Sequence, residues 1–438
     1  MYSVIKAFKP KNMKITKNLK VYICLFVVIF VIVIIVFALT RFIKPNISEP
    51  VNHYQKIIYF GQTCDLQNNT VSEEYSNGYQ LAFSYINRNG GINGYNIKLI
   101  LLNDSYEPDL AVKNAKLLID YYNVLGIVGT FGTPTTLAII EHAIGERPIP
   151  LIGPYSASTV FRKEFNPYII TTNTGFNLEF DLITENILQN SFNNISIIYQ
   201  DDAYGHTFYN SYVTYIIERN LQINIVSTGK YERNSYDLEG TMSTLFGNDN
   251  PYDYSSYNST KKNKIQAIVV FAAEKEIASI LGIVKTINPN VAIYYGSLVG
   301  NDPRNVGYLE NKNKTKVYQT LLNYSSIDKY PELKNLLNSE IAEYNKYNVK
   351  PIKFMSSGII QGFYSGLMIC KNLENFNNMK ELNRKTFLDM FYKMKMIDVY
   401  GFKMGPFIVE KNNEAIKYAE LNELQPNLQF KTIKTIKQ

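Results

Sequence analysis

Two loops hold the side chains best suited to chemistry with a small polar molecule: Gly129-Thr130-Phe131-Gly132-Thr133-Pro134-Thr135 and Gly153-Pro154-Tyr155-Ser156-Ala157-Ser158. Backbone N–H groups and hydroxyls in such loops can hold a carboxylate or an amide, and the same residue types also serve as plain turn chemistry. Each loop follows an apolar run, Leu125 to Val128 and Ile149 to Ile152, that reads as a buried parallel strand. Both loops therefore sit at carboxyl ends of strands, where open α/β sheets take their ligands. Other chemistries lack their residues. His53, His142 and His206 have no ligand spacing, and Cys24, Cys64 and Cys370 form neither a disulfide framework nor a metal set, with Cys64 and Cys370 expected apart and reduced. No Gly-x-Ser-x-Gly elbow, Walker loop or dinucleotide fingerprint is present, so neither an enzyme nor a cofactor is expected.

The elements that must position these loops alternate. Ile57 to Phe60 reads as a first strand, followed by a helix from Glu73 to Asn87 with Tyr75, Tyr79, Ala82, Phe83 and Ile86 at helical spacing. A strand from Ile97 to Leu102, a helix from Asp109 to Tyr121, the strand before the first loop, a helix from Thr135 to Ile144 and the strand before the second loop follow. This order predicts a parallel sheet covered on both faces. A second series runs through a helix from Asn177 to Gln189, strand Ile195 to Tyr199, helix Tyr204 to Asn220, strands Asn224 to Ser227 and Ala267 to Phe271, helix Glu274 to Ile287 and strand Ala292 to Tyr295. Gly247 to Lys264, rich in Asn, Ser, Tyr and Asp, reads as a surface insertion, and no sequence repeat relates the two series. Gly358, Gly362 and Gly366, four residues apart in a helix from Ser356 to Cys370, predict close helix packing in the first unit.

The amino terminus is different. Val21 to Leu39 is an uncharged run of about 19 residues that would rise roughly 29 Å as a helix and span a bilayer. Lys6, Lys9, Lys11, Lys14, Lys17 and Lys20 precede it without an acid, which orients the terminus to the cytoplasm. An uncleaved anchor is the expectation, and a cleaved signal peptide is the competing one. The formal net charge of +7 is concentrated in the first 44 residues and leaves the remainder nearly neutral, so no nucleic-acid surface is indicated. Asn-x-Ser/Thr sequons at Asn46, Asn68, Asn103, Asn194, Asn258, Asn313 and Asn323 are glycosylation candidates in a chain whose asparagine content generates such triplets by chance.

In this order the motifs resemble the type I periplasmic binding proteins of the leucine/isoleucine/valine-binding kind. The resemblance rests on Gly61-Gln62-Thr63, Gly78 to Phe83 with Ile86-Asn87, Gly90-Gly91-Ile92-Asn93-Gly94, Asp104-Ser105-Tyr106-Glu107-Pro108, the two loops above, and Tyr199-Gln200-Asp201-Asp202-Ala203-Tyr204-Gly205. It implies an α/β fold of two Rossmann-like lobes joined by a three-strand hinge, here preceded by one transmembrane helix. The implied organisation is a basic cytoplasmic tail over 1–20, a transmembrane anchor over 21–40, a tether over 41–55, lobe 1 over 54–172 plus 301–395, and lobe 2 over 173–300 plus 396–438.

The resemblance also assigns a ligand set: Gly132, Thr133, Thr135, Tyr155, Ser156, Ala157, Tyr204 and Glu276. Thr133 and Thr135 would present hydroxyls to the acidic end of a ligand, with Thr135 as a plain helix cap the alternative. Tyr204 would cover the ligand from the second lobe. Glu276, with Glu274 close by, would be the counter-ion of an amine, or a solvated acid in a first helical turn. Ala157 stands where relatives carry a hydroxyl. The expected function is a membrane-anchored, extracytoplasmic, non-enzymatic receptor for a small polar ligand such as an amino acid, amide or small carboxylate. The alternative is a surface interaction protein using the same fold with a degenerate ligand site. Expected partners are the ligand, the membrane through Val21 to Leu39, and a permease or another membrane protein.

Overall fold

The computed structural model describes residues 51–437 apart from 68, 146, 148, 248–258, 302–305, 307–308 and 310–315. The expected tail and anchor lie outside these residues, as do most of the surface insertion and the sequons at Asn46, Asn68, Asn258 and Asn313.

The first sheet is built from β1 (Val51–Asn52), β2 (Ile57–Cys64), β3 (Asn96–Asn103), β4 (Ile127–Val128), β5 (Leu151–Ile152) and β6 (Ile169–Ile170). Helices α1 (Thr70–Arg88), α2 (Pro108–Asp120) and α3 (Thr133–Ile139) alternate with them. The parallel order is β3-β2-β4-β5-β6, with β1 antiparallel at β2. Asn69 caps α1 by accepting from the Ser72 amide, which starts this helix three residues before the expected Glu73. The helix expected from Thr135 to Ile144 begins at Thr133 instead and loosens into a π-turn over Ile140–Ile144.

The chain then enters a second sheet through α4 (Asn177–Gln189), β7 (Asn194–Gln200), α5 (Ala203–Glu218), β8 (Asn224–Tyr231), β9 (Ala267–Phe271), α6 (Glu274–Ile287), β10 (Ala292–Tyr295) and β11 (Val317–Leu321). Its parallel core runs β8-β7-β9-β10-β11, the same winding as the first sheet. Two units with no visible sequence repeat thus share one topology, because right-handed crossovers between short parallel strands leave few other ways to wind. Residue by residue β9 is completely buried, as a central parallel strand must be.

The chain next returns to the first sheet with α7 (Pro331–Tyr347), α8 (Ser357–Leu373), α9 (Arg384–Met394) and the hairpin β12 (Ile397–Val399) and β13 (Phe402–Met404). It ends with β14 (Tyr418–Leu424) and β15 (Phe430–Lys437), antiparallel on β11. Lys431, Lys434 and Lys437 line the edge strand, a usual protection against edge-to-edge pairing. The expected lobe boundaries differ from this at two places. β11 falls within 301–395 yet is hydrogen-bonded to β10 of the second sheet, and the 397–404 hairpin packs on α8 of the first. Both displacements follow from strand pairing, which periodicity does not report.

The glycine stripe does close packing. A Cβ on Gly362 would lie 2.2 Å from the Tyr75 carbonyl oxygen and one on Gly78 2.5 Å from that of Ile359, so α1 and α8 meet backbone to backbone. Three crossovers over 171–176, 322–330 and 405–417 join the sheets. Thr171 donates to the Asn413 carbonyl at 3.0 Å and accepts from Ala415 at 2.7 Å, while Tyr324 stacks on Tyr418 with centroids 3.9 Å apart. Cys64 and Cys370 are both buried free thiols.

Candidate functional site

The carboxyl ends of β5, β10 and β11 and the first turn of α5 converge with the first crossover on one small cavity. Tyr155, Ser156 and Ala157 come from the loop after β5, Tyr204 from α5, Ser297 and Leu298 from the turn after β10, and Leu322 and Asn323 from the end of β11. Asn173 and Phe176 of the crossover complete the wall. The cavity has room for a single water centre (≈ 10 Å³). A much larger groove, ≈ 750 Å³, lies on the hinge side around Arg162, Asp181, Arg219 and Lys417. It is open and lined by charges of both signs, whereas the small cavity lies at the strand ends where this sheet order takes ligands.

The two loops singled out from the sequence interlock. The Tyr155 amide donates to Thr130 at 2.7 Å and Gly132 donates back to Tyr155 at 3.1 Å, which stacks the Phe131 and Tyr155 rings 5.3 Å apart at 15°. Gly132 has φ +81° and its missing Cβ leaves the space taken by the Tyr106 ring, 2.2 Å from where that atom would be. Tyr106 in turn packs edge-on against Phe131. Gly132 is thus an architectural residue of the site.

Thr133 reaches the Ser156 hydroxyl at 2.7 Å, one layer behind the wall. Thr135 bonds back to the Phe131 and Gly132 carbonyls and is spent within its own helix. Tyr155, Ser156, Ala157 and Tyr204 line the cavity; the Tyr204 hydroxyl is buried without a hydrogen-bond partner, and the Tyr155 phenol is within hydrogen-bonding reach of the Asn323 side chain. Tyr204 is placed by Asp202, which caps α5 by accepting from the Tyr204 and Gly205 amides.

Glu276 stands elsewhere. It is buried in the first turn of α6 with one oxygen unpartnered, in the field of Asp202 and Lys275, and burial pushes its carboxyl up to about 7. The acid that does approach the cavity is Glu179, fully buried on α4. It accepts from the Ser297 amide at 2.7 Å, the Ser297 hydroxyl at 3.3 Å and the Thr320 hydroxyl, and burial lifts its carboxyl to about 7.

Arg162 supports the wall from behind. It donates to the Ser156 and Ser158 carbonyls at 2.9 and 3.0 Å, to Asn173 Oδ1 at 2.8 Å and to Glu414 at 3.1 Å, so it ties the binding loop to two crossovers. Burial lowers its pKa, against the pull of Glu414.

Opposite the hinge the two units touch directly. Arg233 pairs with Glu107 at 2.7 Å, Asn234 donates to Glu107 at 2.8 Å, Gln200 donates to the Tyr106 hydroxyl at 3.4 Å, and the Val71 amide donates to Glu274 at 3.1 Å.

Sequence reasoning missed six wall residues. Ser297 and Leu298 follow a strand that periodicity located, so the strand-end rule that found the first loops would have found them. Leu322 and Asn323 follow β11, which was not recognised, and Asn173 and Phe176 lie on a crossover with no local signal.

Known proteins share this architecture. A possible leucine/isoleucine/valine-binding protein from Rhodopirellula baltica superposes with a TM-score of 0.73 at 17% identity, covering 87% of this chain and 97% of that one. The branched-chain amino acid transporter substrate binding protein LivJ of Streptococcus pneumoniae, solved with isoleucine, gives 0.67 at 18% identity over 87% and 100%. The sequence profile of the periplasmic binding proteins matches residues 67–245. Residues 67–245 thus match the periplasmic binding protein family, and the described residues have the type I periplasmic binding protein fold. An amino acid binding protein of Pseudomonas aeruginosa is 38% identical over 74 residues, which is 17% of this chain and 20% of that protein. Type I periplasmic binding proteins are non-enzymatic solute-binding proteins.

Two expectations need correction. Single-pass membrane localisation is not supported: no helix among the described residues is long and apolar enough to cross a membrane, Val21 to Leu39 lies outside them, and the matching family is periplasmic. The most apolar described helix, α8, spends its face against α1 in the core. Glycosylation at Asn323 is also excluded in the folded chain, because that residue is 3% exposed in the cavity wall. Asn103 and Asn194, the remaining described sequons, are half-buried strand residues.

Proposed function

We propose that this protein is a solute-binding protein that holds a small polar ligand, such as an amino acid, an amide or a small carboxylate, between two lobes that close about the three crossovers. The observation that carries this reading is a cavity walled from both sheets in which the Tyr204 hydroxyl is buried without a partner. Unpaired buried polar groups are costly, and a bound polar molecule would satisfy them. The cavity is smaller than any amino acid, so entry requires the lobes to part, with the ligand's contacts to both favouring closure. The isoleucine complex of the pneumococcal relative supports the ligand class, and its description as a transporter component suggests a permease as receiving partner.

The alternative, a surface protein with a degenerate ligand site, draws on the small cavity and on the direct contacts between Glu107 and Arg233 that hold the units together. Thermal unfolding of the full chain against a panel of amino acids, amides and carboxylates separates the two. At about 100 times its dissociation constant a ligand adds roughly 2.7 kcal/mol of stability. A saturable rise in melting temperature that Tyr204→Phe weakens supports the receptor; no rise with any compound supports the alternative.

A further inference from the structure

The four residues after β3 are shaped for a contact outside the cavity. Ser105 and Tyr106 are both left-handed, at φ +51° and +61°, which residues with side chains adopt only where their surroundings hold them there. Asp104 supplies the hold: it accepts from the Tyr106 amide and the Thr63 hydroxyl, each at 2.9 Å, and its carbonyl takes the Glu107 amide at 2.8 Å. Glu107 is the N-cap of α2, yet its side chain takes no amide of that helix. Its two oxygens accept from Arg233 and Asn234 of the second lobe, at 2.7 and 2.8 Å. Tyr106 stands beside this contact, with the Arg233 guanidinium 5.7 Å from its ring and Gln200 donating to its hydroxyl at 3.4 Å.

A second tie runs the other way. Glu274, the first residue of α6, accepts at 3.1 Å from the amide of Val71 in the first turn of α1, so an acid of the second lobe serves a helix N-terminus of the first. The Val71 side chain fills the space that a Cβ on Gly300 would need, 2.6 Å from that position. Each lobe thus offers a carboxylate to the other. None of Val71, Tyr106, Glu107, Arg233, Asn234 and Glu274 lines the cavity.

We infer that Glu107 and Glu274 form a latch that draws the lobes closed through their own contacts, and that Glu107, from outside the cavity, sets how tightly a solute is held. These bonds break whenever the lobes part, so whatever they contribute favours the closed state. The apparent affinity for a solute that needs closure then rises with the closed fraction. This consequence for affinity rests on the solute-binding reading, whereas the latch itself acts with or without a solute.

The test is double electron–electron resonance on the full chain with no added solute. Spin labels at Val349→Cys and Tyr236→Cys, 100% and 64% exposed on opposite lobes, report the gap between them. Cys64 and Cys370 are buried, and Cys24→Ser removes the remaining thiol. The expected result is that the short distance dominates at low salt and that Glu107→Ala raises the open-to-closed ratio about twofold to fivefold, as befits an ion pair whose members are 50% and 21% exposed. Glu107→Gln, which keeps an acceptor for Asn234 and loses the charge facing Arg233, should open less than the alanine variant, and Glu107→Ala with Glu274→Ala more than either single change. Raising NaCl to about 1 M should shift the protein with Glu107 intact in the same direction, a measurement that needs no change in the latch. A chain that is open at low salt overturns the latch, as does one distance distribution shared by Glu107 and its alanine variant at both salt concentrations. Either outcome leaves the solute receptor standing, because the thermal panel tests that reading separately.

Discussion

Arg162→Ala would remove one guanidinium that holds the cavity loop against two crossovers. The side chain is 9% exposed and its partner Glu414 17% exposed, so this is an ion pair largely withdrawn from water. Alanine would leave the Glu414 carboxylate without its cation, and the Ser156 and Ser158 carbonyls without their donor. Removing one member of such a pair costs about 3–5 kcal/mol, mostly the penalty of the charge left behind. For a folded unit of roughly 390 residues the unfolding entropy is about 0.8 kcal/mol/K, so the melting temperature should fall by about 4–6 °C. Differential scanning calorimetry of the full chain reads this directly. The double variant Arg162→Met with Glu414→Gln should be less destabilised than the sum of its parts, because neither charge is then stranded. A drop below about 1 °C for Arg162→Ala, or strict additivity in the double variant, would refute the assignment of Arg162 as the tie between loop and hinge.

Burial lifts Glu179 and Asp104 to about 7 from ordinary carboxylate values, so the folded state binds protons that the unfolded chain has released. That stabilisation is complete below the unfolded values and is lost as pH rises through 7, on the order of 1–3 kcal/mol per group. Melting temperature should therefore fall between about pH 5 and pH 8, and Glu179→Gln should flatten the slope; an identical slope in the variant would contradict this. Gly132→Ala places a Cβ into the Tyr106 ring at φ +81° and should cost about 2–4 kcal/mol, with partial recovery when Tyr106→Ala opens the space. An unaltered urea midpoint in the single variant would count against that packing. Gly362→Ala forces α1 and α8 apart, since the Tyr75 carbonyl lies 2.2 Å from the new atom, and should destabilise by about 3 kcal/mol or more. Circular dichroism melts that match the parent would show that the helices can separate freely.

Much of the fold was legible because its signals are local. Apolar runs of four or five residues located β9 and β10, helical spacing of Tyr75, Tyr79, Ala82 and Phe83 located α1, and the glycines of α8 announced a close helix contact. The strand-end rule led to Tyr155, Ser156 and Ala157, and the motif around Asp202 led to Tyr204. Glu276, which the resemblance assigned as a counter-ion, lies outside the cavity wall; a position in a first helical turn says that an acid suits the dipole, and leaves open which side of the turn faces the ligand.

Residue types and their periods in the chain determined by themselves the alternating α/β class, the absence of catalytic and metal-binding motifs, and the loops from which a ligand site could be made. Tertiary structure alone decided that β11 pairs with β10, that Asn323 enters the wall, that Glu179 meets Ser297 across 118 positions and that Arg162 reaches Glu414 across 252. The physical reason is that turn chemistry and amphipathic spacing are properties of neighbouring residues. A ligand cavity, by contrast, is made by groups that only the winding of two sheets brings together.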